Sequence, residues 1–116
     1  MKSIVLEKSR LFAIRIIQMY KYICDTKKDY IISKQILRSG TSIGANIAEA
    51  EYAFSKKDFL AKMYIALKEC AETLYWLDLL YETEYLNINE YQSLKSDCLE
   101  LQRILSSITK TTKQNS

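Results

Sequence analysis

Apolar residues recur at steps of three and four along four separate stretches of this chain, a spacing that gathers them onto one face only if each stretch is a helix. Val5, Phe12, Ile16, Met19 and Ile23 make the first stripe, and Ile32, Ile36, Ile43 and Ile47 the second. Phe59, Met63, Ala66, Leu67, Cys70, Leu74, Leu77 and Tyr81 make the third, and Tyr91, Leu94, Cys98, Leu101, Leu105 and Ile108 the fourth. Polar punctuation falls between them. Asp29 is placed to cap the second helix, Ser55 with Asp58 forms a capping box ahead of the third, and Asn89 with Gln92 reads as another ahead of the fourth. The helices are therefore expected at about 3–25, 30–52, 56–84 and 89–110, in one domain over residues 1–113. The polar stretch from Lys110 onward lacks apolar anchors and is expected to fray, with 114–116 as a loose tail. The 116 residues hold no proline and two glycines, so the turns that a many-stranded sheet needs are missing. The fold class is all-α, an antiparallel up-down-up-down four-helix bundle. Gly40 and Gly44 interrupt helix two, each costing about 1 kcal/mol of propensity, which a kink or a close helix crossing would offset.

Much chemistry is excluded by what the chain lacks. It has no histidine, which removes the commonest general base and the usual zinc sites. Cys24, Cys70 and Cys98 are scattered and odd in number, so they read as small core residues, not as a metal knuckle or a disulfide framework. Carboxylates do not converge by spacing, and neither an enzyme nor a cofactor site is expected. Residues 1–11 mix charged with apolar positions, unlike a signal peptide, and no apolar run is long enough to span a membrane. The expected address is the cytoplasm.

Charge and grease are unevenly spread. Residues 1–57 carry 11 bases and 5 acids, a balance of +6; residues 58–116 carry 6 bases and 9 acids, a balance of −3. On a wheel of about 100 degrees per residue, Leu11, Ile14 and Tyr22 fall on the outer arc of helix one among its bases, and Ile65, Trp76 and Leu79 on that of helix three beside Glu69 and Glu72. Two unlike apolar faces of opposite charge suit a heterologous contact between copies that closes into a ring, so a cyclic homo-oligomer is expected, with these six residues at its interface.

Two polar features qualify as candidate sites. Gln35, Arg38, Ser42, Asn46 and Glu49 form a stripe on helix two, where Arg38 can clamp a phosphate, with Asn46 supplying an amide and Glu49 orienting the arginine of this or a neighbouring subunit, or where the whole stripe can serve helix packing. Lys8, Arg10, Arg15, Lys21, Lys34, Arg38, Lys56 and Lys57 form a candidate surface for nucleic acid or for a partner, with Tyr20, Tyr22, Tyr30 and Tyr52 nearby for stacking.

The run from Ser39 to Ala50, SGTSIGANIAEA, together with Gln35, Arg38, the Ser55–Phe59 segment, Tyr64–Leu67 and Glu72, resembles the four-helix bundle proteins linked to 23S rRNA intervening sequences. That family is related to the accessory variability determinant of diversity-generating retroelements. Gly44 and Ala50 depart from its usual proline and glycine. The resemblance implies a homopentameric ring, gives Arg38, Ser42, Asn46 and Glu49 the status of motif positions, and brings RNA, DNA or a reverse transcriptase into view as partners. The function expected is a non-enzymatic scaffold or chaperone for structured RNA acting through bases of helices one and two; the alternative is a protein-docking module that does not touch nucleic acid.

Overall fold

The computed structural model describes residues 3–115, so Met1, Lys2 and Ser116 lie outside it. Four helices follow one another: α1 (Ile4–Lys27), α2 (Ile32–Ala50), α3 (Lys56–Glu82) and α4 (Ile88–Gln114). Among the described residues there is no strand. α1 packs on α2, α2 on α3 and α3 on α4, while α1 and α4 meet more sparsely and close the bundle, which measures 48 × 22 × 21 Å.

Each helix starts where a side chain answers its free amides. Ser3 Oγ accepts from the Leu6 amide at 3.2 Å, and Asp29 Oδ1 accepts from Ile31 and Ile32 at 2.8 and 3.1 Å. Ser55 Oγ accepts from the Asp58 amide at 3.0 Å while Asp58 reaches back to the Phe54 amide at 3.3 Å, completing a reciprocal cap. α4 differs from expectation: Asn87, not Asn89, caps it, accepting from the Glu90 amide at 2.8 Å. It also runs four residues beyond 110, because Thr109 is buried, Ile108 packs on the core, and Lys56 Nζ holds the Asn115 carbonyl at 2.6 Å. α3 stops with Glu84 in the left-handed region (φ 66°), the Tyr85 and Glu84 amides returning to the carbonyls of Leu80 and Tyr81.

The interior is the four stripes facing one another. Phe12, Ile16, Ile23, Ile36, Ile43, Leu77, Leu94 and Leu105 are sealed from water, joined by Leu80 and Leu86, which lie off the stripes read from sequence. Cys70 and Cys98 belong to this core and Cys24 stands half-buried at its edge; all three are free thiols. Of the two ways to accommodate the glycines, the chain uses close crossing. A Cβ on Gly40 would lie 2.9 and 3.0 Å from two carbons of Ile16, and one on Gly44 would lie 3.1 Å from Ser9 Oγ, so α1 lies directly against the bare backbone of α2. Thr73 and Ser39 join α2 to α3 through a buried hydroxyl pair at 3.0 Å.

Candidate nucleic-acid interface

The bases divide into two groups by what they touch. On the sparse seam between α1 and α4, Lys8 bridges to Glu100 at 3.2 Å and Arg15 to Asp97 at 2.7 Å. Across the α2 and α3 pair, Arg38 reaches Glu69 at 3.4 Å and also contacts Glu72, which accepts a further hydrogen bond from Trp76 Nε1 at 2.9 Å. These three bases hold helices together. Two carboxylates beside one guanidinium leave that spot net negative, which opposes an incoming phosphate.

The polar stripe on α2 resolves the same way. Asn46 Nδ2 donates to the Ser42 carbonyl and Ser42 Oγ to the Arg38 carbonyl, both bonds running along their own helix at 2.9 and 2.6 Å. Glu49 pairs with Lys62 of α3 at 2.9 Å, so within one chain it does not orient Arg38. Gln35 is exposed. Of the motif positions, Arg38 and Glu49 are brought to α3 and Ser42 and Asn46 are spent on α2, and the four do not converge on one point.

The second group faces water. Lys21, Lys34 and Lys57 are exposed and have no acidic partner among the described residues. Arg10 is largely exposed and has only the long 3.7 Å contact to Glu7. Arg10, Ile17 and Lys21 share one outward arc of α1 at about 100 degrees per residue. Lys56, at the far end of the bundle, is engaged by the Asn115 carbonyl.

The outer apolar residues are similarly split. Leu11 (52% exposed), Ile14, Tyr22 and Ile65 project into solvent, joined by Ile17, Tyr64 and Tyr75, which the sequence reading did not place on the outer faces. Trp76 and Leu79 are half-buried, Trp76 packing on the core and edge-on against Tyr75 at 5.1 Å. Phe54 is 100% exposed and Tyr52 85%. The available signal for Phe54 was an aromatic standing between a helix end and a cap, with no stripe to join.

Two corners of the bundle meet through one titratable contact. Asp29 Oδ2 accepts from the Tyr85 hydroxyl at 2.7 Å, tying the corner between α1 and α2 to that between α3 and α4. That bond, with the Ile31 and Ile32 amides, holds the Asp29 carboxyl below the usual carboxylate range. A depressed folded-state value means the contribution is complete above about pH 4, where the unfolded chain is also ionised, and is lost as the pH falls through the folded value. The gap in melting temperature between the wild-type chain and Asp29→Ala is expected to be widest near neutrality and to narrow in acid; a gap constant down to the acid limit contradicts the assignment. In the core, the neighbouring Cys70 and burial push the Cys98 thiol up, so it stays protonated. No group of three metal-ligating side chains converges among the described residues.

A cleft of about 970 Å³ opens between the second half of α1 and the corner joining α3 to α4, lined by Tyr22, Tyr81 and Tyr85 with Lys27, Glu82 and Glu90 among others. Its charges are mixed. None of the helices over the described residues is long and apolar enough to cross a membrane.

The model of the 23S rRNA-intervening sequence protein family matches residues 1–107. A crystal structure of a protein with unknown function from the S23 ribosomal protein family of Bacteroides thetaiotaomicron is 52% identical, covering 92% of this chain and 99% of its own, with a TM-score of 0.91. No curated protein matches.

Proposed function

Because the chain belongs to the 23S rRNA-intervening sequence protein family, we propose that it is a cytoplasmic, non-enzymatic bundle that assembles with copies of itself and binds structured RNA, ribosomal RNA foremost. The supporting observation is the division of the bases. Lys8, Arg15 and Arg38 are consumed by carboxylates of neighbouring helices, whereas Arg10, Lys21 and Lys34 stand on the outer surface of α1 and α2 with their charge unanswered or nearly so. A phosphate backbone supplies what those three lack. Each such contact is weak in a single copy. Repeated around a ring, the patch becomes multivalent and the weak contacts reinforce one another.

The reading of helices one and two as one undivided basic face is thereby narrowed: the functional charge is the unpaired subset. Charge reversal of Arg10, Lys21 and Lys34 together is expected to weaken binding to a folded rRNA fragment at least tenfold and to flatten its salt dependence by about one logarithmic step per lost phosphate contact. Lys62→Gln, which removes a base paired to Glu49, is expected to leave the affinity within about twofold. Mobility shift across a salt series measures both. Absence of binding at low salt, or equal loss in the triple variant and Lys62→Gln, would overturn the proposal.

A further inference from the structure

The corner between α2 and α3 presents aromatic and basic groups in a way that packing does not explain. Tyr52 and Phe54 are 85% and 100% exposed, so Phe54 makes no side-chain burial of any kind. Its backbone, by contrast, is fixed. The Tyr52 and Ala53 amides turn back to the Glu49 and Ala50 carbonyls at 3.0 and 3.1 Å, the Phe54 amide donates to Asp58, and Ser55 caps α3 immediately after. A wetted ring on a pinned backbone is a preorganised contact surface, able to bind without the entropy cost of ordering a loop.

The groups around it carry positive charge. Lys56 and Lys57 follow within three residues and are exposed. The bond from Lys56 Nζ to the Asn115 carbonyl brings the last turn of α4 to the same place, and with it the exposed Lys113. Glu49 and Glu51 are the exposed acids of the corner, Glu49 paired with Lys62, and Asp58 accepts from the Phe54 amide. Flat aromatic faces among lysines match a ligand that is flat, apolar and anionic in alternation: an unpaired nucleotide, its base stacked on a ring and its phosphate among the ammonium groups. A duplex keeps its bases stacked on each other and offers no face to Phe54.

We infer that this corner is a single-strand site, in which Phe54 and Tyr52 stack the unpaired bases of a loop or bulge in RNA while Lys56, Lys57 and Lys113 hold the adjoining phosphates. The inference rests on the RNA-binding reading above and deepens it, because it assigns the bundle end to unpaired bases and leaves Arg10, Lys21 and Lys34 to the phosphates of folded RNA.

The test is fluorescence anisotropy with two labelled probes, an oligouridylate and an RNA duplex of equal length, at one low salt concentration. Phe54→Ala is expected to weaken oligouridylate binding about tenfold and Tyr52→Ala about fivefold, with duplex affinity unchanged within about twofold, and Phe54→Trp to retain the wild-type affinity. Deoxy-oligothymidylate tests stacking without the 2′-hydroxyl: Phe54→Ala is expected to weaken it alongside oligouridylate, and weakening of the DNA probe alone overturns the RNA site. If Phe54→Ala binds oligouridylate as well as the wild type does, or loses both probes equally, the single-strand site is overturned while RNA binding stands. If the wild-type chain binds neither probe, both proposals fall. Light scattering on Phe54→Ala supplies the remaining check: a smaller assembly than the wild type shows that the ring contacts another copy, which also overturns the site.

Discussion

Truncating Ile16 to alanine is expected to cost about 3 to 5 kcal/mol and adding a methyl group at Gly40 about 1 to 2 kcal/mol, yet the two changes together are expected to cost clearly less than their sum. Ile16 is fully buried, and its loss opens a cavity in the centre of the bundle. A Cβ on Gly40 would stand 2.9 Å from its side chain, and neither side can retreat, since both residues are buried between packed helices. The helix-propensity gain of alanine over glycine, about 1 kcal/mol, offsets part of that overpacking but not all of it. Without the Ile16 side chain, the new methyl group enters vacated space and the propensity gain appears undiminished. Chemical denaturation of the four chains of the cycle measures the coupling, expected at 1 kcal/mol or more; strict additivity contradicts the close crossing. Gly44→Ala provides the contrast. Its new Cβ meets the small hydroxyl of Ser9 at 3.1 Å, and there the propensity gain and the crowding are expected to cancel to within about 0.5 kcal/mol.

Leu11→Glu and Ile65→Glu are each expected to reduce the assembly to smaller species at micromolar concentration, with helix content intact. Both side chains are substantially exposed in the isolated bundle, at 52% and 40%, so a carboxylate there is solvated in a lone protomer and costs the fold little. In an interface between copies the same carboxylate is stripped of water beside apolar neighbours, at a cost of several kcal/mol per contact, which corresponds to more than a hundredfold in association. A variant that keeps the wild-type mass places that residue outside the interface. Trp76→Ala makes a less clean test, because Trp76 also packs on the core and bonds to Glu72 within its own protomer.

The fold was legible because its signals are local. Three-four spacing of apolar residues, Ser55 with Asp58, and Asp29 ahead of the second stripe each fix an element without reference to the rest of the chain. The misplaced start of α4 arose between two asparagines two residues apart, each followed three residues later by Glu or Gln; the pattern alone does not choose between them, and the Asn87 cap is settled by where the chain leaves the α3 turn at Glu84. The continuation of α4 beyond Lys110 is met by Lys56, which is distant in sequence and near only in the folded bundle. The candidate site was less legible for the same reason. Spacing identified Arg38 and Glu49 as members of one stripe on α2, but the partners that decide their role, Glu69, Glu72 and Lys62, stand on α3. Likewise Lys8 and Arg15 look like free bases until α4 brings Glu100 and Asp97 alongside. Which bases remain available is a property of the tertiary structure, and counting charge along the chain overstates it.

The proposed assembly depends on the outer apolar residues of α1 and α3 being shared between copies, and the absolute mass of the wild-type chain in solution addresses that most directly. Multi-angle light scattering at micromolar concentration is expected to give a whole-number multiple of the 13.6 kDa protomer greater than one, unchanged on moderate dilution. A stable species at 13.6 kDa across the same range contradicts the account.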